Sequence, residues 1–214
     1  MIPKFEVINK VADEKVVAVI RGQDPDEAIA ISQAAVTGGL HVLELTYTIP
    51  AISKVFEALA NEDVVLGAGT VLDVETARHA LLYGAKFIVS PHFDEGISRL
   101  CNRYAVPYFP GCFTIAEMVR ALESGCDVVK IFPANHLQPS FIKAVNGPLP
   151  QIRMIPTGGI NLRNLDAWLK AGAVAVGISS ELTSAYRQGG SAGVQNVCRQ
   201  YRAIIHQKAR GDSS

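Results

Sequence analysis

Lys130 stands in the strand-like run Val128-Val-Lys-Ile-Phe-Pro133, where a lysine is costly to bury. Strand side chains alternate between faces, so Val128, Lys130 and Phe132 share one face while Val129 and Ile131 share the other. Both faces are otherwise apolar, as in a strand of a sheet covered on both sides. An ammonium there must be paired, carry its head to water, or give up its proton. The last option makes a nucleophile. At the reference pKa of about 10.4 roughly one lysine in 2,500 is neutral at pH 7, whereas a pKa near 7 makes about half neutral, a gain of about 4.6 kcal/mol. Schiff-base formation with a carbonyl substrate is the chemistry such a lysine supports.

Glu44 shares the parity of Val42 and Thr46 in another apolar run, so the chain holds two interior charges of opposite sign. As a purely structural ion pair they would add little over apolar replacements. As a working pair, the lysine attacks a ketone while the glutamate moves protons among carbinolamine, imine and enamine. Further polar residues close other apolar runs: Arg21 after the first, Thr70 after Gly67-Ala-Gly, Pro91-His92 after the fourth, Thr157-Gly158-Gly159 after the seventh and Ser179-Ser180 after the eighth. Each alone reads as a surface charge, a cap or a turn. Together they mark one rim. Gly158-Gly159 before a helix, with Ser180 at the neighbouring strand end, fits a phosphate cradle of backbone N–H groups. A metal alternative is a two-histidine, one-carboxylate site from His92, His136 and Glu44.

The elements that must position these groups follow from periodicity. Short β-branched runs begin near Val16, Val42, Val64, Phe87, Pro107, Val128, Met154 and Ala173, separated by segments of helical spacing. Gly38-Gly39 and Gly84 stop two helices, Thr114-Ile-Ala-Glu117 has capping-box spacing, and Asn161 is the N-cap expected for a helix over Leu162 to Leu169. About eight strands alternating with helices predict a single (β/α)8 TIM barrel with an extra N-terminal helix and another near Val194 to His206. A doubly wound sheet is the alternative, but Arg21-Gly-Gln-Asp after the first strand lacks its phosphate-binding glycine pattern.

The 214 residues are 49% hydrophobic and 19% charged, which predicts one domain over residues 1–214. Twenty basic and twenty acidic residues cancel without long like-charge runs, so a small-molecule partner is expected, not nucleic acid or an anionic membrane. Cys101, Cys112, Cys126 and Cys198 have no Cys-x-x-Cys spacing and read as reduced core thiols. The first ten residues lack the apolar core of a signal peptide and no window approaches a membrane span, so a cytoplasmic enzyme is expected.

Glu44-Leu-Thr, Gly67-Ala-Gly-Thr-Val71, Ser90-Pro91, Pro110-Gly111, Val129-Lys-Ile-Phe-Pro133 and Pro156-Thr-Gly-Gly159 jointly resemble the 2-keto-3-deoxy-6-phosphogluconate (KDPG) and 4-hydroxy-2-oxoglutarate aldolases, from Val16 to Ser180. The resemblance implies a class I, metal-independent lyase without a cofactor, assembled as a homotrimer. It implies that Lys130 forms the Schiff base with pyruvate, that Glu44 is the acid/base, and that Thr70 helps hold the carboxylate. Pro91, Phe132 and Thr157 would shape the pocket; Gly158, Gly159 and Ser180 would receive the phosphate. Where the better-known branch carries an arginine four positions after the strand-two glutamate, this chain has Thr48, and Arg21 is the expected substitute. The related phosphogalactonate aldolases also carry a strand-one arginine. Thr157 favours the gluconate epimer and Cys112 the galactonate one, while 4-hydroxy-2-oxoglutarate shares the pyruvyl half. A phosphosugar-binding barrel without turnover is the reading from another class; two interior charges speak for catalysis.

Overall fold

The computed structural model describes residues 3–211, with side chains through 207; Met1, Ile2 and residues 212–214, included in the expected domain, lie outside the described residues. Parallel strands alternate with helices. The strands are β1 (Val16–Ile20), β2 (Val42–Thr46), β3 (Val65–Gly69), β4 (Phe87–Val89), β5 (Tyr108–Phe109), β6 (Gly111–Cys112), β7 (Val128–Ile131), β8 (Arg153–Pro156) and β9 (Val176–Ile178). The helices are α1 (Pro3–Glu14), α2 (Pro25–Thr37), α3 (Ser53–Leu59), α4 (Val74–Leu82), α5 (Glu95–Arg103), α6 (Ile115–Glu123), α7 (Ser140–Asn146), α8 (Leu165–Ala171) and α9 (Ser180–Gly211).

Two parallel ladders result, ordered β5-β4-β3-β2-β1-β9 and β6-β7-β8. One of the eight expected strands is divided in two by Pro110, which has no N–H to donate but whose carbonyl accepts from the Lys130 N–H at 2.8 Å. On the other side Thr157 bridges Gly177, and the Val174 N–H donates to the Met154 carbonyl at 3.0 Å.

The strand parities sort side chains into two apolar clusters. Val16, Ala18, Ile20, Leu43, Leu45, Val129 and Ile131 face outward into the core shared with the helices. Val17, Val42, Phe87, Val89, Phe109, Val128, Ile155 and Ala175 form an inner cluster joined by Ile8 and Val11 of α1. The N-terminal helix thus covers the ends where the strands begin. Its own end is anchored by buried Glu14, which pairs with Lys10 at 2.8 Å and Arg202 at 2.7 Å.

Helix boundaries follow the local signals, with two exceptions. The Thr114–Glu117 capping box opens α6, and Gly39 and Gly84 follow α2 and α4 with φ of 93° and 91°. Asn161, however, is not the N-cap of α8: the helix begins at Leu165 behind Asn164. The Asn161 and Asn164 side chains instead donate to the Gly159 carbonyl at 3.2 and 2.9 Å. The expected helix near Val194 to His206 is the second half of α9, which loses helical geometry at Gly189 and Gly190 before its return packs against α2. Cys198 in that half lies so close to Gly38 that a β-carbon at position 38 would meet it at 2.4 Å.

All four cysteines are free and buried. Burial raises their thiols to about 12 for Cys101, Cys112 and Cys198 and about 11 for Cys126, which keeps them protonated and unreactive. No described helix is long and apolar enough to cross a membrane.

Candidate active site

A cavity of about 530 Å³ opens where the strands end. Arg21, Thr70, Pro91, Lys130, Phe132, Thr157, Gly158, Gly159 and Ser180 all line it. Glu44, the remaining expected site residue, lies beneath, in the inner packing with Lys130, Thr157, Phe87 and Ile155. The residues come from every part of the chain, and parallel register alone brings them together.

Lys130 and Glu44 are 6% and 3% exposed, and the Lys130 Nζ lies 3.4 Å from Glu44 Oε1. Of the three fates open to an interior ammonium, this lysine is paired. The contact is at the long end of hydrogen-bond distance, leaving the nitrogen free to turn toward the cavity it lines. Nζ also sits 5.1 Å from the Phe132 ring centroid, within cation–π distance.

Glycines make room for this pair. A β-carbon at Gly69 would lie 2.2 Å from Glu44 Oε1, and one at Gly177 would lie 2.4 Å from Thr157 Oγ1. Gly67 likewise yields to the Phe87 ring, and Gly111 to the Pro91 backbone, each at 2.2 Å. The Gly67-Ala-Gly69 pattern is therefore a packing requirement of Phe87 and Glu44. Pro91 is held by its loop: buried Tyr108 accepts from the Asp94 N–H at 3.2 Å and donates to the His92 carbonyl at 3.1 Å, with Ser90 bonded to both. Burial pushes the Tyr108 phenol up, so it stays a donor.

Thr70 closes β3 at φ 58°, a left-handed conformation that a β-branched side chain adopts at a cost of about 1–3 kcal/mol. Thr46 and Thr48 bond to each other at 2.9 Å, and Thr46 also donates to the Ile20 carbonyl at 2.9 Å. These threonines tie β2 to β1, while Arg21 reaches the cavity that Thr48 does not line. Cys112 does not line it either. It packs in the outer core with its Sγ 3.8 Å from the Pro110 carbonyl, so its weight toward the galactonate epimer has no contact behind it.

Gly158 and Gly159 adopt φ of 99° and 74°, as a backbone cradle requires. Asn135 crowds them: a β-carbon at 159 would meet its Cβ at 2.8 Å. Among the described residues no three His, Cys, Asp or Glu side chains are grouped closely enough to hold a metal ion, so His92, His136 and Glu44 do not assemble into one.

Six further residues line the cavity that sequence reading did not assign: Val19, Ile160, Gly177, Thr183, Ser184 and Arg187. The signal for the last three was present, since Ser180, Thr183, Ser184 and Arg187 follow i, i+3, i+4, i+7 spacing on one helical face.

Residues 7–197 match the protein family described as KDPG and KHG aldolase. A 2-dehydro-3-deoxy-phosphogluconate aldolase of Treponema pallidum is 39% identical over 77% of this chain and 79% of its own. A 2-dehydro-3-deoxy-6-phosphogalactonate aldolase of Escherichia coli K12 is 33% identical over 88% of this chain and 92% of its own. The structure superposes with a TM-score of 0.80 on a KDPG aldolase from Legionella pneumophila holding pyruvate as a covalent carbinolamine, at 29% identity over 88% of this chain and 94% of that one.

Proposed function

Because the chain belongs to the KDPG and KHG aldolase family, we propose that it is a class I, metal-independent lyase that cleaves 2-keto-3-deoxy-6-phosphogluconate to pyruvate and glyceraldehyde 3-phosphate. The observation that carries this reading is the buried Lys130 nitrogen lining the cavity with the Glu44 carboxylate 3.4 Å away. The ammonium passes its proton to Glu44, and the neutral amine attacks the C2 ketone. A proton moves from nitrogen to the former carbonyl oxygen, Glu44 returns its own, and water leaves a protonated imine. Glu44, again a carboxylate, takes the C4 hydroxyl proton as the C3–C4 bond breaks, and the electron pair passes into the enamine. The aldehyde departs, C3 is reprotonated from Glu44, and water hydrolyses the imine to pyruvate and the lysine ammonium.

In this reading Arg21 and Thr70 hold the carboxylate, which gives the strained Thr70 backbone a purpose. Pro91, Phe132 and Thr157 shape the pocket, and Gly158, Gly159 and Ser180 receive the phosphate. The phosphogalactonate epimer is the second reading, supported by the E. coli relative and by Arg21 at the cavity. Relative kcat/KM on the two epimers decides between them.

We also read the two ladders as one closed (β/α)8 barrel, a single domain over residues 1–214, because Pro110 and the Thr157–Gly177 bridge link the ladders at both edges. A cytoplasmic homotrimer fits the family. Leu72, Leu82, Tyr83, Tyr104, Phe113 and Ile115 remain exposed on and beside α4, α5 and α6, apolar surface suited to self-association. A light-scattering mass equal to one chain would remove that part of the reading.

The test of the mechanism is borohydride reduction in the presence of pyruvate, followed by peptide mapping. A reduced adduct on Lys130 is expected; an adduct on another lysine, or none, overturns the Schiff-base reading.

A further inference from the structure

The mouth of the cavity carries a cation that the mechanism does not use. Among the described residues lining the cavity, the charged ones are Arg21, Lys130 and Arg187, all positive. Lys130 becomes the imine and Arg21 is assigned to the carboxylate. The phosphate end is then left with backbone N–H groups and hydroxyls for a group of about −1.5 to −2 charge. We propose that Arg187 completes the phosphate site, gripping the phosphate of the substrate from α9 and so setting the preference for phosphorylated over unphosphorylated keto acids. The proposal rests on the phosphate-site reading above.

Four observations converge on it. Ser180, Thr183, Ser184 and Arg187 all line the cavity from one face of α9. Helical side chains lean toward the N-terminus, so Arg187, about 10 Å along the axis from Ser180, reaches back toward Ser180 and the Gly158-Gly159 turn. The acid in the first turn is turned away: Glu181 accepts a hydrogen bond from fully buried Tyr201 and does not line the cavity. Tyr201 thereby keeps a carboxylate out of the anion site while joining the two halves of α9. Finally, the Ser179 Oγ is buried without a hydrogen-bond partner in the protein, and because Ser179 belongs to the cavity wall a χ1 rotation would offer that unmet hydroxyl to a ligand oxygen.

Arginine suits this task because its planar fork meets two phosphate oxygens at once. The side chain is solvent-exposed at the mouth, so screening limits the effect. For Arg187→Gln, kcat/KM on KDPG should fall about tenfold, or about 1.4 kcal/mol, mostly through KM. On 2-keto-3-deoxygluconate, which lacks the phosphate, it should change less than about twofold. Inorganic phosphate should inhibit the variant more weakly, and Arg187→Lys should recover part of the loss as a point charge. Undiminished preference for the phosphorylated substrate in Arg187→Gln, or equal loss on both substrates, overturns the assignment while the Gly158-Gly159 cradle stands. Equal rates on both substrates in the unmodified enzyme would remove the cradle and Arg187 together, so the two failures are distinct.

Discussion

Where the strands begin, the inward side chains Val17, Val42 and Val128 pack with Ile8 and Val11 of α1, whereas two residues further along β2 and β7 the same faces carry Glu44 and Lys130. The two ends are built from the same strands by the same alternation, yet they do opposite work. The covered end is apolar, and the Phe87 and Phe109 rings, 5.5 Å apart, fill the interior between it and the ion pair. The open end collects features that cost stability: a buried ion pair, a β-branched residue at φ 58°, and strand glycines at 69 and 177. Burial at one end offsets strain at the other, so substitutions should separate stability from turnover according to the end they strike.

The sharpest separation is expected from Lys130→Met with Glu44→Leu. Turnover should vanish, a loss of at least about 10⁴-fold, while the folded state becomes as stable as the parent or more so by about 1–4 kcal/mol, because an apolar pair replaces buried charges. Denaturant melts alongside aldol-cleavage assays check this, and a destabilised double variant would mean that the ion pair holds the fold. Gly69→Ala comes next. Its new methyl group displaces the Glu44 carboxylate, so kcat should fall about 10²-fold with a stability loss of about 1–3 kcal/mol. Retained kcat would show that Glu44 need not sit where it does.

At the covered end Ile8→Ala should lower stability by about 2–4 kcal/mol and leave kcat/KM unchanged within about twofold. A changed KM would show that the two ends are coupled. Arg21→Ala should weaken pyruvate use in the condensation direction by about 2 kcal/mol, after allowing for its exposure, with the aldehyde little affected. Unchanged pyruvate kinetics would make Arg21 a surface charge.

The smallest effect lies outside both ends, in the α6 capping box. The Phe113 N–H, with smaller help from Thr114, holds the Glu117 carboxyl below the usual carboxylate range. A depressed folded-state pKa gives stability above the unfolded value of about 4.3 that is lost as pH falls through the lower folded value. Glu117→Gln should therefore cost under about 1 kcal/mol at pH 7, and its difference from the parent should shrink as pH drops below about 4. A difference that persists at low pH would make the cap's contribution independent of charge.

Much of this was legible in the chain because it rests on local rules. Period-two alternation placed Val128, Lys130 and Phe132 inward and Val129 and Ile131 outward, and the structure sorts them so. The capping box of α6 and the glycine stops after α2 and α4 involve neighbours a few residues apart. Asn161 misled because Asn164 offers the same side chain three residues later: both bond the Gly159 carbonyl, and the Asn161 N–H donates to Asn164 Oδ1, so Asn161 belongs to the turn and the helix starts behind Asn164.

Alternation and capping are short-range, so the sequence by itself determined which strand residues face inward, where several helices start and stop, and that Lys130 and Glu44 are buried. The 3.4 Å contact between residues 86 positions apart was beyond its reach, because it depends on the register β1 sets with β2 and β7 sets with β8, and on glycines at 69 and 177 having no β-carbon. Tertiary structure likewise turned Glu181 to Tyr201 and brought Arg187 to the cavity mouth. A helix's own periodicity says which residues share a face, but only its packing against the rest of the chain decides what that face meets.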